Sequence, residues 1–158
     1  REKESSLIMN LKCAFSGHRN LNIGGYDDGL LERVISDLIK TGVKTFYCGM
    51  ALGFDMQAAE KVVEFKKKTP IRLVACLPCG GQSETFSLSS ERRYKEILKN
   101  CDTVITLAPE YYNGCMHRRN RFMVDNCDIL VCFLRKNSGG TCYTVKYAES
   151  FNKKIIKI

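Results

Sequence analysis

The chain has 158 residues, 44% of them hydrophobic and 27% charged, with twelve glycines and three prolines; that length suits about one domain, and the composition excludes collagen-like, low-complexity and disordered classes. A net charge of +8 favours an anionic partner such as a nucleotide, a nucleic acid or an anionic surface, without choosing among them. No uncharged apolar run approaches the ~20 residues that cross a bilayer, and the opening Arg1-Glu2-Lys3-Glu4-Ser5-Ser6 lacks the apolar stretch of a secretory signal, so no membrane partner is expected.

Met9 follows a polar stretch, so residues 1–8 are expected to be a leader without function and 9–158 the domain. Residues 8–15 form a mostly apolar run ending at Ser16-Gly17 and predict the first strand. Residues 28–41 place Leu30, Leu31, Val34, Ile35, Leu38 and Ile39 at helical spacing. Val43–Cys48 predicts a second strand that breaks at Gly49. A helix follows from Asp55, an acceptable N-cap, through Ala58, Ala59, Val62 and Val63; the basic run Lys66-Lys67-Lys68 ends it in water, placed well for the helix dipole. Strands are predicted at 71–77, 103–107, 129–134 and 154–158, and helices at 89–99, 116–127 and 141–151.

Short apolar strands alternating with amphipathic helices predict a doubly wound α/β domain with a mainly parallel sheet and helices on both faces. Ligands of such sheets bind outside the carboxyl ends of the strands. Three of the strand-to-helix loops are glycine-rich where a helix begins: Ser16-Gly17-His18-Arg19, Gly49 to Asp55, and Ser138-Gly139-Gly140-Thr141. Glycine admits close backbone approach, and amides at a helix start attract phosphate oxygens, although glycine also simply terminates strands. Neither G-x-G-x-x-G nor G-x-x-x-x-G-K-[ST] occurs, which disfavours conventional dehydrogenases and P-loop NTPases.

On the 116–127 helix, Met116, Met123 and Cys127 share a stripe flanked by Arg119 and Asn120, with Arg118, Arg121 and Asp125 opposite. Arg119 is thereby a candidate bidentate phosphate clamp. Cys76-x-x-Cys79 has no second ligand pair, so no metal site is expected. Nine cysteines, an odd number lying mostly in apolar runs, predict reduced thiols and a cytoplasmic protein. The two histidines allow a Ser16–His18 or Cys115–His117 pairing on paper, with no nucleophile motif to support either. Tyr111-Tyr112 beside Arg118 and Arg119 is the one candidate stacking stripe for single-stranded nucleic acid, and reads better as a pocket wall.

Taken together, Ser16-Gly17-His18-Arg19, Gly49-x-Ala51-x-Gly53-x-Asp55, Arg119-Asn120-x-x-Met123-Val124-Asp125 and Gly139-Gly140-Thr141-x-x-Thr144-Val145-x-Tyr147-Ala148 resemble the SLOG superfamily, in particular its YpsA/YoqJ-like branch, over about residues 11–158. Pro78, Gln82 and Arg93-Tyr94 fit the branch's third loop, while Cys79-Gly80-Gly81 departs from its aromatic residue. The resemblance implies a DprA- and LOG-like Rossmannoid fold that binds a nucleotide-derived ligand such as a nucleotide, NAD or an ADP-ribose-like compound. Gly139, Gly140 and Thr141 would then hold phosphate, helped by Arg119 and Asn120, with Ser16, Gly17, His18, Arg19, Gly49, Ala51, Gly53, Asp55 and Gln82 around it. LOG-type phosphoribohydrolases carry a Met-His-x-Arg-Lys segment and a Gly-Gly-x-Gly-Thr-x-Glu-Glu segment. Here Asn120 replaces the Lys, and Cys142, Tyr143 and Thr144 follow Thr141 where the acidic pair would fall.

The expected function is therefore binding or sensing of a phosphate-bearing nucleotide derivative. Two alternatives stand beside it: hydrolysis of an N-glycosidic bond with Asp55 or Glu149 as the carboxylate, and DprA-like binding of single-stranded nucleic acid. No cofactor is required by this reading, and a homo-oligomer is compatible with it.

Overall fold

The apolar runs fold as six strands and the amphipathic stretches between them as five helices in the computed structural model, which describes residues 10–158. The proposed leader and the first two residues of the predicted first strand lie outside the described residues. In chain order the elements are β1 (Leu11–Gly17), α1 (Asp28–Lys40), β2 (Val43–Cys48), α2 (Phe54–Lys66), β3 (Arg72–Leu77), α3 (Leu88–Lys99), β4 (Thr103–Thr106), α4 (Cys115–Asp125), β5 (Ile129–Phe133), α5 (Gly140–Ser150) and β6 (Lys154–Lys157).

All neighbouring strands pair in parallel, in the order β4-β3-β2-β1-β5-β6. The central strands are buried on both faces because every parallel connection returns over the sheet through a helix. One face packs Cys13, Phe15, Phe46, Leu73 and Ala75 against Leu31 and Ile35 of α1, Met56 and Ala59 of α2, and Tyr94 and Ile97 of α3. The other packs Ala14, Val74, Cys76 and Leu130 against Met123 and Val124 of α4 and Val145 and Ala148 of α5. No helix among the described residues is long and apolar enough to cross a membrane.

Strand order reverses at β1, which lies between β2 and β5. The chain therefore leaves β1 and β5 in opposite directions and opens a crevice beyond their carboxyl ends. An aromatic cluster floors this end of the sheet. Phe15 stacks on Phe46 with ring centroids 5.7 Å apart, and Phe54 and Phe133 stack at 6.1 Å. Tyr26 closes over Phe133 edge-on at 5.3 Å.

Arg135 fastens the loop above that floor. Its guanidinium lies 4.5 Å from the Phe133 ring and donates to the carbonyls of Gly24 at 2.9 Å, Gly25 at 3.1 Å and Ile158 at 2.9 Å. Planar donors and a face that stacks on an aromatic ring suit Arg and not Lys.

The basic run after α2 differs from its solvated reading. Lys66 Nζ donates to Asn100 O and to Asp102 Oδ2, each at 2.6 Å, so the first of the three lysines ties α2 to the α3–β4 turn. Asp55 does not cap α2 either. Gly53 is the N-cap, and Asp55 sits in the first turn with its carboxylate folded back onto the Ala51 amide at 3.2 Å.

Arg135→Ala is expected to free the 20–27 loop while costing the fold only about 1–2 kcal/mol, the scale of a few partly exposed hydrogen bonds and one cation–π contact. Limited proteolysis within residues 20–27 should accelerate well beyond cleavage in the core strands, and Arg135→Lys should not restore resistance.

Candidate functional site

Five helices start near the carboxyl edge of the sheet, and their N-termini fall into two groups. Asp27 caps α1 by accepting from Leu30 N, and Ser87 caps α3 by accepting from Ser90 N. α2, α4 and α5 begin at Gly53, Gly114 and Gly139 with no side-chain cap. Orphan amides at a helix start need a partner, and the positive end of the helix dipole makes an anion a favourable one. In α2 the first of them is met internally, since Phe54 N donates to His18 O at 3.1 Å. In α5 the amides of Gly140, Thr141 and Cys142 have no protein partner among the described residues.

Gly140 and Thr141 line a cavity of about 420 Å³. The sequence-predicted residues Ser16, Gly17, His18, Arg19, Ala51, Asp55, Arg119, Asn120, Gly140 and Thr141 all line it. Gly139, one residue outside, has φ +93, and nothing lies within 4 Å of a side chain built at either Gly139 or Gly140; the first value calls for glycine, and the second leaves room for a ligand to lie against the backbone. The hydroxyls of Ser16 and Thr141 have no protein partner among the described residues. Sequence reasoning missed Lys136, Asn20 and Met116, which also line the cavity. Lys136 lies in the loop between β5 and α5, where the sequence signal is carried by the glycines alone.

A second hollow of about 720 Å³ adjoins the first and shares Arg19, Ala51 and Met116 with it. Gln82 and Tyr111 lie in this second lobe. Tyr111 forms part of the wall as predicted, whereas the Tyr112 hydroxyl lies outside it, 3.5 Å from Arg118 Nη1.

Arg119 is 4% exposed, more deeply set than a phosphate clamp requires. Its Nη1 donates to Gly49 O, its Nε donates to Asn120 Oδ1 at 2.8 Å, and its Nη2 touches Met116 Sδ at 3.7 Å. Most of its donors are thus spent inside the protein, and the bidentate grip predicted from sequence is not available without rearrangement. Gly49 makes this seat. A Cβ there would stand 2.8 Å from the guanidinium carbon, so Gly49 serves Arg119 rather than a ligand. Gln82 is engaged in the same way, donating from Nε2 to Gly49 O at 3.0 Å while its Oε1 accepts from Tyr94 OH at 2.9 Å. Asn120, whose Oδ1 accepts from Arg119 Nε, also lines the cavity. Gly53 supports the rim, because a Cβ at that position would meet the Arg19 carbonyl at 2.1 Å.

Asp55 is 5% exposed and lines the same cavity. Burial raises its carboxyl to about 6, against the opposing pull of Arg119, the Ala51 amide and Arg19. A carboxyl poised near neutrality can accept or release a proton. Met50, fully buried beside it, holds a left-handed φ of +61, a strained conformation for a non-glycine residue of the kind that gathers at functional sites.

Neither paper dyad forms. His18 Nε2 accepts from Arg135 N at 2.7 Å, which places the proton of the neutral ring on Nδ1 and ties two loops together. Burial and the nearby Lys136 and Arg135 charges lower its pKa. Cys115 is fully buried, and the His117 ring packs on Tyr143 with centroids 4.1 Å apart. Burial pushes the Cys76 thiol up to about 12 and also raises Cys79, which suits packing rather than thiolate chemistry. Glu149 is exposed on the last turn of α5, eight residues beyond Thr141 and so about 12 Å along the helix from the cavity.

The model of the YspA SLOG family matches residues 13–157. The chain belongs to that family. Among its relatives, the UPF0398 protein BH1768 of Halalkalibacterium halodurans is 29% identical over 136 residues, covering 84% of this chain and 70% of that protein. Among solved structures, this SLOG chain resembles DNA processing protein A (DprA) of Streptococcus pneumoniae with a TM-score of 0.71 and 17% identity, over 96% of this chain and 51% of that one. DprA of Helicobacter pylori, solved for its single-stranded DNA binding mode, gives a TM-score of 0.69 at 19% identity over 96% of this chain and 66% of that one. The SLOG chain thus spans about half of one DprA and two thirds of the other. At such identities the shared property is the fold.

Two substitutions test the site's construction. Gly49→Ala should unseat Arg119 and lower stability by about 1–3 kcal/mol in urea titrations. Asp55 titrates near 3.8 when unfolded and about 6 when folded, so the folded state holds the extra proton between those values. Its contribution is full below the lower value and is lost as pH rises through the upper one, by on the order of 3 kcal/mol. Asp55→Asn should therefore be more favourable relative to wild type at pH 7.5 than at pH 4.5. The lowered pKa of His18 acts with the opposite sign, through lost stability as pH falls below 6.5, and cancels in the comparison because both proteins carry it.

Proposed function

We propose that the protein is a cytoplasmic binding module for a phosphate-bearing nucleotide derivative, with the phosphate at the start of α5. The observation that carries this reading is the uncapped α5 N-terminus, whose bare Gly139-Gly140 backbone opens onto a cavity at the β1–β5 crevice. Arg19 and Lys136 bring positive charge to the same cavity, and Thr141 and Ser16 offer hydroxyls without a partner among the described residues, beside the Asn120 amide. Arg119 contributes field more than contact, since its donors hold Gly49 and Asn120.

A thermal-shift panel of nucleoside mono- and diphosphates, NAD and ADP-ribose tests the reading. A ligand at a hundredfold excess over its dissociation constant should stabilise the fold by about 2.7 kcal/mol. Arg19→Ala or Lys136→Ala should weaken that ligand about tenfold, roughly 1.4 kcal/mol. No shift with any member of the panel would overturn it. Single-stranded DNA, the ligand of H. pylori DprA, belongs in the same experiment: binding that falls steeply with salt and tracks many phosphates would replace the small-molecule reading.

Asp55 favours a second reading, cleavage of the bound ligand. Its carboxyl titrates near 6 within the same cavity, and N-glycosidic hydrolysis calls for a carboxylate that steadies positive charge or orients water. Chromatography of each ligand after incubation should reveal a free base if this holds, and Asp55→Asn should abolish it. Turnover that survives this substitution would remove Asp55 from the mechanism.

A further inference from the structure

The two edges of the sheet are built differently. β6, at one edge, begins and ends in exposed lysines, Lys154 and Lys157, and charged side chains on an edge strand discourage another strand from pairing with it. β4, at the other edge, reads Thr103-Val104-Ile105-Thr106, all β-branched and uncharged. Its pairing with β3 runs without a bulge, and Thr103, Val104 and Thr106 are exposed, Val104 at 45%. Leu107 N donates to Leu77 O at 3.0 Å, which fixes the alternation of the ladder. Thr103 and Ile105 turn their amides and carbonyls toward β3, whereas Val104 and Thr106 turn theirs outward, where they have no protein partner among the described residues.

The helix beside this edge carries a matching pattern of charge. α3 joins β3 to β4 and packs against α2 along one flank, where Arg93 pairs with Glu60. A 100° step per residue puts Leu88, Glu91, Lys95 and Lys99 on the opposite flank, beyond which no further helix lies on that face among the described residues. Glu91 and Lys95 are 3.2 Å apart, and Leu88 is 76% exposed. With its acid toward the N-terminus and its lysines toward the C-terminus, this flank is complementary to its own reversed copy.

We propose that the β4 edge is the interface for a second copy of this chain, paired antiparallel about a two-fold axis at Ile105. Val104 of each copy then lies opposite the partner's Thr106, and the outward amides and carbonyls of both residues bond across the axis. The two six-stranded sheets become continuous, and Glu91 approaches the partner's Lys95 and Lys99. The α3 flank, complementary to itself, singles out this chain over a foreign strand, and the two-fold pair closes without leaving a new β4 edge.

Sedimentation equilibrium of wild type, Val104→Lys, Val104→Glu and Thr106→Pro at concentrations up to about 0.5 mM tests it. Both positions are exposed, and matching circular dichroism spectra check that each variant folds. Wild type should populate a dimer. Val104→Lys and Val104→Glu each set like charges diagonally across the axis and should weaken the dimer at least about tenfold. Thr106→Pro, which removes an outward donor and leaves the β3 ladder intact, should do the same. An equimolar mixture of Val104→Lys and Val104→Glu should recover the dimer, which a destabilised fold would not. Wild type that stays monomeric, a dimer that survives all three substitutions, or a mixture that remains monomeric would overturn the proposal.

Discussion

A guanidinium resting on bare backbone organises the centre of this molecule. Arg119 reaches from α4 across the carboxyl edge of the sheet to the Gly49 carbonyl, where a side chain would collide with it. Gln82 donates to the same carbonyl and is itself held by Tyr94. Three segments, the end of β2, the loop after β3 and the helix α4, therefore meet at one oxygen, and Tyr94 ties α3 to them through Gln82. A buried cation is costly unless its donors are satisfied, and here the solution also sets the position of Met116 and Asn120, which wall the cleft.

From that centre the functional edge divides by electrostatics. Toward α5 the uncapped amides, Arg19 and Lys136 make a positive end; toward the 80–86 loop the carboxylates of Glu84 and Glu110 make a negative one. Asp55 lies within the positive end, and with its carboxyl raised by burial to about 6 it offsets part of that charge once the pH passes this value.

The glycines illustrate how similar letters carry different physics. Gly139 and Gly140 leave open space above a helix start, whereas Gly49 and Gly53 remove a side chain that would strike Arg119 or the Arg19 carbonyl. All four were read from the sequence as ligand-facing. The loops were legible, because strand-to-helix turns of parallel sheets must lie at the carboxyl edge. Which glycines face outward depends on the side chains that arrive from elsewhere in the chain, seventy residues away in the case of Arg119 and Gly49.

The amino-acid sequence by itself determined the parallel α/β architecture, since apolar runs and helical periodicity are local properties that burial in a sheet covered on both faces enforces. It also determined the family and most of the residues around the cavity beside α5, through short motifs that sit at strand ends. Only the tertiary structure decided that Arg119 and Gln82 hold the scaffold instead of a ligand, that Glu149 points away, that Lys136 joins the site, and that Glu84 and Glu110 gather in a second lobe. Each of these depends on which distant segments share a few ångströms, and that is fixed by packing, desolvation and hydrogen-bond satisfaction across the whole fold rather than by spacing along the chain.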